Sequence, residues 1–364
     1  MSNTDDERVS LFDDATPSGA DAGAADTEAA AAAAAAPRRG KKRLRDRWLL
    51  LTVFVVLGAI LVGVAVVVGW YGKATLDGLN QVKRDPELTV VDYEGRPTPA
   101  PTKPGAKYAP MNIVLMGSDR RSTAERGRSD VLMVLHISGD RKNAYLISLP
   151  RDYWVPIPGH GTAKINAAYS WGGPQLTVQT VEQLLNIRVD HTALIDFDGF
   201  TKVIDAVGGI QVYNRHASKI DGQVFPEGFV QLDGAKALMF VRNRYDLPNG
   251  DFDRNERQRD VIKAVLDKLA SRGVLTDPVK FRDSVTTLGP NFTVDTAFTN
   301  QKIIELGTQM RITTGNDVRS MMAPYSHFGT SSDGQWYAAV DQPKLAAIAA
   351  AMRGDTMDQY WASR

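Results

Sequence analysis

The sequence contains no cysteine among its 364 residues, so neither disulfide bonds nor thiolate metal sites are available to it. Its five histidines are scattered without the spacing of metal ligands, so we do not expect a zinc site. It also lacks a Gly-x-x-x-x-Gly-Lys-Ser/Thr phosphate loop, a Gly-x-Ser-x-Gly nucleophile elbow and any internal repeat. The net charge of +1 indicates no particular partner, and we expect no nucleic acid to bind.

One long apolar run without a charged residue extends from Trp48 to Trp70. At about 1.5 Å per residue it can cross about 30 Å of hydrocarbon. The basic cluster 38–47 precedes it, which predicts a cytoplasmic N-terminus and puts the chain after residue 71 outside the cell. A cleavable signal peptide is the alternative, but this run begins later and is longer than such peptides. We therefore predict a cell-membrane protein with a single permanent transmembrane helix.

The composition changes along the chain and divides it into segments. The first residues are mostly small and polar and cannot form a core, whereas the segment after the apolar run is rich in proline. The predicted segments are a disordered cytoplasmic tail (1–37), a basic juxtamembrane cluster (38–47), a transmembrane helix (48–70), an extracellular linker (71–108), a catalytic domain (109–330) and a C-terminal helical extension (331–364).

From about residue 110, runs of strand length alternate with runs of helical spacing. The predicted strands are 111–116, 131–137, 143–149, 192–197 and 210–213. The predicted helices are 174–185, 200–207, 253–270 and 343–352. Alternation of this kind is typical of α/β layered domains. We therefore predict a mixed central sheet flanked by helices in three layers.

Two aspartates stand at the ends of the first two predicted strands. Asp119 follows the first strand and Asp130 opens the second, so an antiparallel pairing would bring both to one edge of the sheet. The third strand returns to that edge and is followed by Arg151. Paired carboxylates with room for water suit Mg²⁺. Ordinary turn capping by the same aspartates, paired with neighbouring arginines, is the alternative.

The helix at 253–270 carries arginines on the side that faces the core. Arg254, Arg257 and Gln258 have i, i+3, i+4 spacing and share a face with Val261 and Val265. The residues expected on the opposite face are Asn255, Glu256, Arg259, Lys263 and Asp267. Too few acids lie on the core-facing stripe to neutralise the arginines, and guanidinium groups suit phosphate. This pattern predicts an anion site.

Two further arginines lie just upstream of this helix. Arg242 and Arg244 would project together if their segment is extended. The alternative is that they form ion pairs with Asp246 and Asp251.

Several motifs, taken together and in order, match a known family. They are Asn112-Ile-Val-Leu-Met-Gly-Ser-Asp119, Arg128-Ser-Asp130, Ser148-Leu-Pro-Arg-Asp152, Lys164-Ile-Asn-Ala-Ala-Tyr169, Gly172-Gly-Pro174, Asp196-Phe-Asp-Gly-Phe200, Val241-Arg-Asn-Arg244 and Asp253-Arg-Asn-Glu-Arg-Gln258. Over residues 110–270 the chain resembles the LytR–CpsA–Psr proteins, membrane-anchored enzymes that attach glycopolymers to bacterial peptidoglycan. The resemblance implies a mixed sheet between helices and an apolar tunnel for a polyprenyl chain. The runs 131–135 and 204–207 are candidates to line it.

The resemblance also implies roles for individual residues. Asp119 and Asp130 would serve Mg²⁺, with Mn²⁺ as the alternative ion. Lys164 matches a lysine that lies near the pyrophosphate in the family. Without the resemblance, Lys164 would be interpreted as a cation at the start of a helix with no functional role. The other residues implied to contact phosphate are Arg121, Arg151, Arg242, Arg244, Arg254 and Gln258. Arg257 joins them through its position on the helix face, and the expected catalytic residues are Asp119, Asp130 and Arg254.

The expected reaction is a Mg²⁺-dependent transfer of a glycopolymer phosphate from a polyprenyl-pyrophosphate carrier to a peptidoglycan hydroxyl, forming a phosphodiester in cell-wall assembly. Hydrolysis of the pyrophosphate is one alternative, and a non-catalytic protein that binds anionic polymer is another. The pair Asp119 and Asp130 favours an enzyme, because a binding protein needs only the arginines. Teichoic acid, capsule and arabinogalactan chains would all present the same pyrophosphate, so the polymer stays open, as does the residue that takes the hydroxyl proton.

Overall fold

A mixed β-sheet lies at the centre of the folded domain. The computed structural model describes residues 42–118, 129–270, 277–312 and 317–364. The strands, numbered in chain order, are β1 (Lys83–Arg84), β2 (Met111–Ser118), β3 (Ser129–Ile137), β4 (Ala144–Ser148), β5 (Tyr153–Ile157), β6 (Gly161–Lys164), β7 (His191–Asp196), β8 (Ile210–Asn214), β9 (Ser218–Ile220), β10 (Gln223–Phe225), β11 (Gly228–Leu232), β12 (Thr293–Val294), β13 (Val318–Met322), β14 (Tyr325–Thr330) and β15 (Trp336–Val340). In these described ranges the central sheet has seven strands, in the order β1-β12-β7-β2-β3-β4-β13.

The central sheet combines parallel and antiparallel pairs. β2, β3 and β4 form an antiparallel meander, which is the pairing that the expected meeting of Asp119 and Asp130 requires. β7 pairs in parallel with β2, and β13 pairs in parallel with β4. β2, β4, β7 and β13 therefore run in one direction, and β3 runs against them.

Helices cover both faces of this sheet. The helices of the described residues are α1 (Lys42–Asn80), α2 (Asn166–Leu185), α3 (Phe197–Ala206), α4 (Gly234–Arg242), α5 (Asp251–Ala270), α6 (Pro278–Asn291), α7 (Asn300–Gln309), α8 (Gln342–Arg353) and α9 (Met357–Ala362). Neighbouring residues of β2 enter opposite cores, because side chains alternate along a strand. Val114 packs with residues of α2 and α8, whereas Ile113 packs on the side of α5 and α7. The predicted three-layer α/β arrangement is confirmed.

Smaller sheets complete the fold. β14, β15, β5 and β6 form a second sheet in that order, β8 pairs with β11, and β9 pairs with β10. None of these short strands except β8 was predicted, because their pairing partners lie far apart in sequence or their runs are too short to show a period. Helix α2 begins earlier than predicted. It bends at Gly173, where φ is 67° and ψ is −157°, a conformation that glycine adopts without steric cost.

The segment 71–108, expected to be an extended linker, contributes to the folded domain. It includes the end of α1, strand β1 and a short 3₁₀ turn at Pro86–Leu88. β1 pairs in parallel with β12 and so forms the edge of the central sheet. Farther along, Arg96 forms an ion pair with the buried carboxylate of Glu182 in α2 at 3.0 Å. At the other end, residues 331–364 contain β15, α8 and α9.

Helix α1 includes the predicted transmembrane run. Two compact units divide the chain at this helix, one ending at Gly63 and the other extending from Val64 to Arg364. Within the described residues, Val56–Asn80 is long and apolar enough to cross a membrane, as judged by length and composition. Apolar side chains of this part, such as Val56 and Val66, are exposed.

Candidate active site

The carboxyl ends of β2, β4, β7 and β13 meet at one edge of the central sheet, beside the amino end of β3. Ser118 pairs with Ser129 and with Asp196, and Ser148 pairs with Met133 and Met322. Ligands of open α/β sheets generally bind outside the carboxyl ends of the strands. This edge is therefore the expected position of a ligand site.

Asp130, one of the two predicted metal ligands, lies in β3 at this edge. Gly117 pairs with Val131 but Ser118 pairs with Ser129, so Asp130 is the additional residue of a β-bulge. Asp119, which follows Ser118, and Arg121 lie outside the described residues, as does the side chain of Asp130. The pairing of these two carboxylates around a metal ion therefore stays a prediction. Among the side chains that the structure describes, no three His, Asp or Glu residues form a metal-binding group.

A chain of alternating charges lies directly beside these strand ends. The Lys164 Nζ atom is 2.9 Å from Asp152 Oδ1, and Arg151 Nε is 3.5 Å from Asp152 Oδ2. Arg151 Nε is also 3.3 Å from Asp251 Oδ1, which in turn is 2.7 Å from Arg254 Nη2. We call these residues the charged cluster (Lys164, Asp152, Arg151, Asp251 and Arg254). Three cations face two carboxylates, so the cluster keeps one positive charge in excess, which favours an anionic ligand.

Local structure explains why these residues meet. Arg151 and Asp152 lie in the turn between β4 and β5, closed by the hydrogen bond from the Tyr153 N–H to the Pro150 carbonyl. Lys164 ends β6, where it pairs with Trp154 of β5. Three predicted phosphate-binding residues, Arg151, Lys164 and Arg254, are thus brought together by two aspartates.

The expectation for Arg242 and Arg244 was wrong in its geometry. Arg242 is the last residue of α4, so the two side chains do not project from one extended strand. The Arg242 guanidinium lies over the ring of Phe197 at 4.9 Å, and that of Arg244 lies over the ring of Tyr245 at 5.0 Å. The alternative partner Asp251 binds Arg151 and Arg254 instead.

The predicted core-facing stripe of α5 is confirmed, since Arg254, Arg257 and Gln258 are all buried. Arg257 Nη2 donates hydrogen bonds to Asn214 Oδ1 at 2.8 Å and to Ser218 Oγ at 2.9 Å. Burial away from water lowers the pKa of Arg257 to about 10. Its Nη2 atom is therefore occupied by neutral groups of the protein, so its role as a phosphate ligand stays a prediction.

Two of the residues expected opposite the core-facing stripe of α5 are nevertheless buried. Asn255 and Arg259 are buried, and Arg259 Nη1 donates a 2.6 Å hydrogen bond to the Ser148 hydroxyl at the end of β4. The reason is that this part of α5 is enclosed between the central sheet and β8 with α4, which helical periodicity alone cannot reveal. Burial also lowers the pKa of Arg259.

An apolar cavity of about 270 Å³ lies between the central sheet and the helices of the α5 side. Val131, Leu135 and Ile204, from the two runs predicted to line a tunnel, are among its wall residues. α5 contributes Gln258, Val261, Ile262, Val265 and Leu266. The Gln258 Oε1 atom is buried and has no hydrogen-bond partner among the described residues. Phe197, which stacks with Arg242, also lines this cavity.

A cleft of about 590 Å³ opens on the other side of the charged cluster. One part of its wall is charged and is formed by Arg151, Asp152, Arg244 and Asp251. The other part is largely aromatic and is formed by Tyr245, Phe252, Tyr325, Phe328 and Trp336. No sequence pattern predicts this aromatic wall, because its rings come together only through the pairing of β14 with β15. Asp251 could have been recognised as an acid one helical turn before Arg254.

The fold and the site define an α/β domain in which a cationic cluster separates an apolar cavity from an open cleft. The chain belongs to the LytR_cpsA_psr family, whose sequence model matches residues 78–354. It is similar to the polyisoprenyl-teichoic acid–peptidoglycan teichoic acid transferase TagU of Bacillus subtilis, with 30% identity over 85% of this chain and 96% of the relative. The TagU protein of Enterococcus faecalis is 35% identical over 66% of this chain and 77% of its own length.

Solved structures show the same fold. The crystal structure of B. subtilis TagV superposes with a TM-score of 0.60 and 29% identity, covering 69% of this chain and 98% of that one. The structure of TagT bound to LI-WTA has a TM-score of 0.55 and 27% identity, covering 73% of this chain and 100% of that one.

Proposed function

We propose that this protein is a transferase that moves a glycopolymer phosphate from a polyprenyl-pyrophosphate carrier to a hydroxyl of peptidoglycan. The membership in a family whose relatives are named as teichoic acid transferases supports the general activity. The carrier, the phosphodiester product and the need for Mg²⁺ are parts of the proposal.

The observation that carries the proposal is the course of α5 along three compartments. Asp251 and Phe252 at its start line the cleft, Arg254 belongs to the charged cluster, and Gln258 and Val261 line the apolar cavity. Gln258 lies seven positions after Asp251 in the helix, a rise of about 10 Å. A lipid pyrophosphate has the same order of parts, since its apolar chain, its two phosphates and its glycan follow each other along one axis.

The charges of this site suit phosphoryl transfer, in which positioning and electrostatic stabilisation provide most of the catalysis. The acceptor hydroxyl oxygen forms a bond to the glycan-proximal phosphorus, and the bond from that phosphorus to the bridging oxygen breaks. Polyprenyl phosphate leaves with the bonding electrons, and the hydroxyl proton is released. Arg254 and Arg151, held by Asp251, would stabilise the negative charge on the phosphates, and Arg244 would do so from the side of the cleft.

Asp119 and Asp130 are the proposed ligands of a Mg²⁺ ion, which when bound would neutralise pyrophosphate charge. Their fit rests on the strand register, which puts position 130 in a bulge opposite the end of β2, one residue before Asp119. Carboxylate oxygens with free space for water are the ligands that Mg²⁺ prefers.

The apolar segment of α1 supports the proposed membrane location. With the basic cluster 38–47 before it, the positive-inside rule orients the catalytic domain to the outside. A lipid-linked donor stays in the membrane, so an anchored enzyme meets it at high effective concentration.

The test uses the full-length protein in detergent, a polyprenyl-pyrophosphate-linked glycan, peptidoglycan oligomers and Mg²⁺. We expect glycan to become attached to the oligomer through a phosphodiester, with release of polyprenyl phosphate. Release of free glycan phosphate without attachment would instead show a hydrolase, and no turnover in the presence of all components would contradict an enzymatic role.

A further inference from the structure

Four aromatic rings line one part of the cleft and form a continuous surface. Phe252 lies 4.7 Å from Tyr325 and 5.3 Å from Phe328, measured between ring centroids. Tyr325 and Phe328 are stacked at 4.9 Å, and Phe328 and Trp336 are stacked at 4.9 Å. We call these four residues the aromatic shelf (Phe252, Tyr325, Phe328 and Trp336).

The shelf depends on a β-bulge in β14. Tyr325 and Phe328 are three residues apart and would point to opposite faces of a regular strand. The register shifts between Tyr325 and His327, so Ser326 is the additional residue and the two rings point to the same face. Trp336 pairs with Thr330 and precedes Ala338, the partner of Phe328, by two positions in β15, so it joins the same face.

Three of the four rings of the shelf are exposed, and Phe252 is partly buried. Tyr325, Phe328 and Trp336 are 37%, 45% and 43% exposed. The neighbouring Tyr337 lies on the opposite face and stacks on Trp154 at 4.8 Å, which is how an aromatic residue of this hairpin behaves when it serves packing. A contiguous exposed apolar surface of this kind generally marks a binding site.

Short backbone hydrogen bonds fix the shelf beside the charged cluster. The Ala323 N–H donates to the Ser148 carbonyl, and the Ala338 N–H donates to the Asp152 carbonyl, each at 2.9 Å. On the other side, Phe252 follows Asp251 directly in α5. The shelf and the arginines are therefore held in one cleft, lined by both.

We propose that the aromatic shelf binds the saccharide that is attached directly to the donor pyrophosphate, an inference that rests on the proposed function. One face of a pyranose ring carries mostly C–H bonds, which are attracted to the negative face of an aromatic ring. The order of the compartments along α5 indicates that the shelf binds the sugar of the donor rather than the acceptor. With the lipid chain in the apolar cavity and the phosphates at Arg254, the next group along the ligand reaches Phe252 and the cleft.

The experiment compares two probes of equal charge that differ in the sugar. They are geranylgeranyl pyrophosphate with a methyl group on its terminal phosphate and the same molecule with N-acetylglucosamine in place of the methyl group, titrated into the full-length protein in one detergent. Wild type should bind the sugar-bearing probe more tightly. Trp336→Ala and Phe328→Ala should each weaken that binding by about 3- to 10-fold and leave binding of the sugar-free probe within about 2-fold.

Matched variants separate a sugar contact from general damage. Trp336→Phe keeps an aromatic face and should keep most of the affinity. Phe229→Ala removes a ring that is 72% exposed on β11, outside the lining of this cleft, and should change neither probe's affinity. Thermal melting of each variant confirms that the fold is intact.

Each other result has a distinct meaning. Equal losses for both probes, or no loss for either, overturn the shelf as a sugar site, as does a wild-type protein that does not distinguish the probes. A variant that raises only the KM for peptidoglycan oligomers overturns it in favour of acceptor binding. If wild type binds neither probe, the proposed function is contradicted and the shelf inference is contradicted with it.

Discussion

Asp251 and Arg254 form a 2.7 Å ion pair across one turn of α5, with side chains only 14% and 6% exposed. The same Asp251 oxygen lies 3.3 Å from Arg151 Nε, so one carboxylate orders two guanidinium groups from different elements. A buried carboxylate in this position keeps the arginines in place before any ligand arrives, which reduces the reorganisation required when an anion binds.

The planar fork of Arg254 is the first target for mutation. Arg254→Lys keeps the charge and can still reach Asp251, so we expect melting within about 1–2 °C of wild type. Transfer should fall at least tenfold, or about 1.4 kcal/mol, because lysine cannot bind phosphate through two parallel donors. Arg282→Lys, at an exposed ion pair with Asp283, is the control. A variant that loses stability but keeps turnover per folded molecule would show that Arg254 is structural.

Removal of the shared carboxylate should make the site more responsive to anions. We expect Asp251→Asn to lower the melting temperature, since Arg151 and Arg254 lose the charge between them. Inorganic pyrophosphate should then raise the melting temperature by more than in wild type, because the anion supplies the missing charge. At about 100 times its Kd, such a ligand stabilises by about 2.7 kcal/mol. Asp283→Asn serves as the surface control, and equal pyrophosphate shifts in all three proteins would refute the idea.

The proposed metal ligands can be tested separately. Asp119→Asn and Asp130→Asn should each fold normally and lose Mg²⁺-dependent turnover, because an amide is a weaker Mg²⁺ ligand than a carboxylate. Asp333→Asn, in the exposed turn between β14 and β15, should keep full activity. Undiminished wild-type turnover in the presence of chelator would leave turn capping as the better explanation of both aspartates.

One buried histidine should make stability depend on pH. His136 in β3 has its Nδ1 atom 2.8 Å from Asn112 Oδ1, and burial lowers the pKa of His136 from 6.5 to about 3. The unfolded chain takes up a proton below about pH 6.5 whereas the folded one does not, so stability is full above that pH and falls as the pH drops toward 3. The loss at pH 5 amounts to about 2 kcal/mol.

Urea unfolding of the full-length protein in detergent between pH 5 and 8 measures this slope. His136→Gln should lose that part of the pH dependence, and His160→Gln, at an exposed position, should retain it. Identical slopes in wild type and His136→Gln would contradict the assignment.

The predicted orientation can be examined in cells. Protease added to intact protoplasts should degrade the domain beyond residue 110 and spare the N-terminal tail, because the basic cluster 38–47 is expected to stay inside. A protected C-terminal domain would overturn the localisation and the proposed role in the cell wall.

Strong periodicity made much of the fold predictable. The meander β2–β3–β4 and helix α5 were expected within a few residues of their observed ends, because each has a long apolar pattern. β1, β12 and the β14–β15 hairpin were not expected, because short strands are defined by partners that lie far away in the sequence.

The candidate site also has parts that the sequence predicted and parts that it did not. The burial of Arg254 and Gln258 followed from helical spacing, and the meeting of strand ends near Arg151 followed from antiparallel pairing. The contact of Arg259 with Ser148 could not be predicted, because it depends on how α5 lies against β4. The aromatic shelf could not be predicted for a related reason, since a bulge changes which side chains of β14 share a face.

That bulge allows β14 to contain one more residue without changing the surface that it presents to the cleft. Deletion of Ser326 would remove the bulge and leave Tyr325 and Phe328 two positions apart, the spacing that puts two side chains on one face of a regular strand. Relatives whose hairpin is one residue shorter at this position would therefore present the same pair of rings. The length of this hairpin can thus vary during evolution while its aromatic surface is kept.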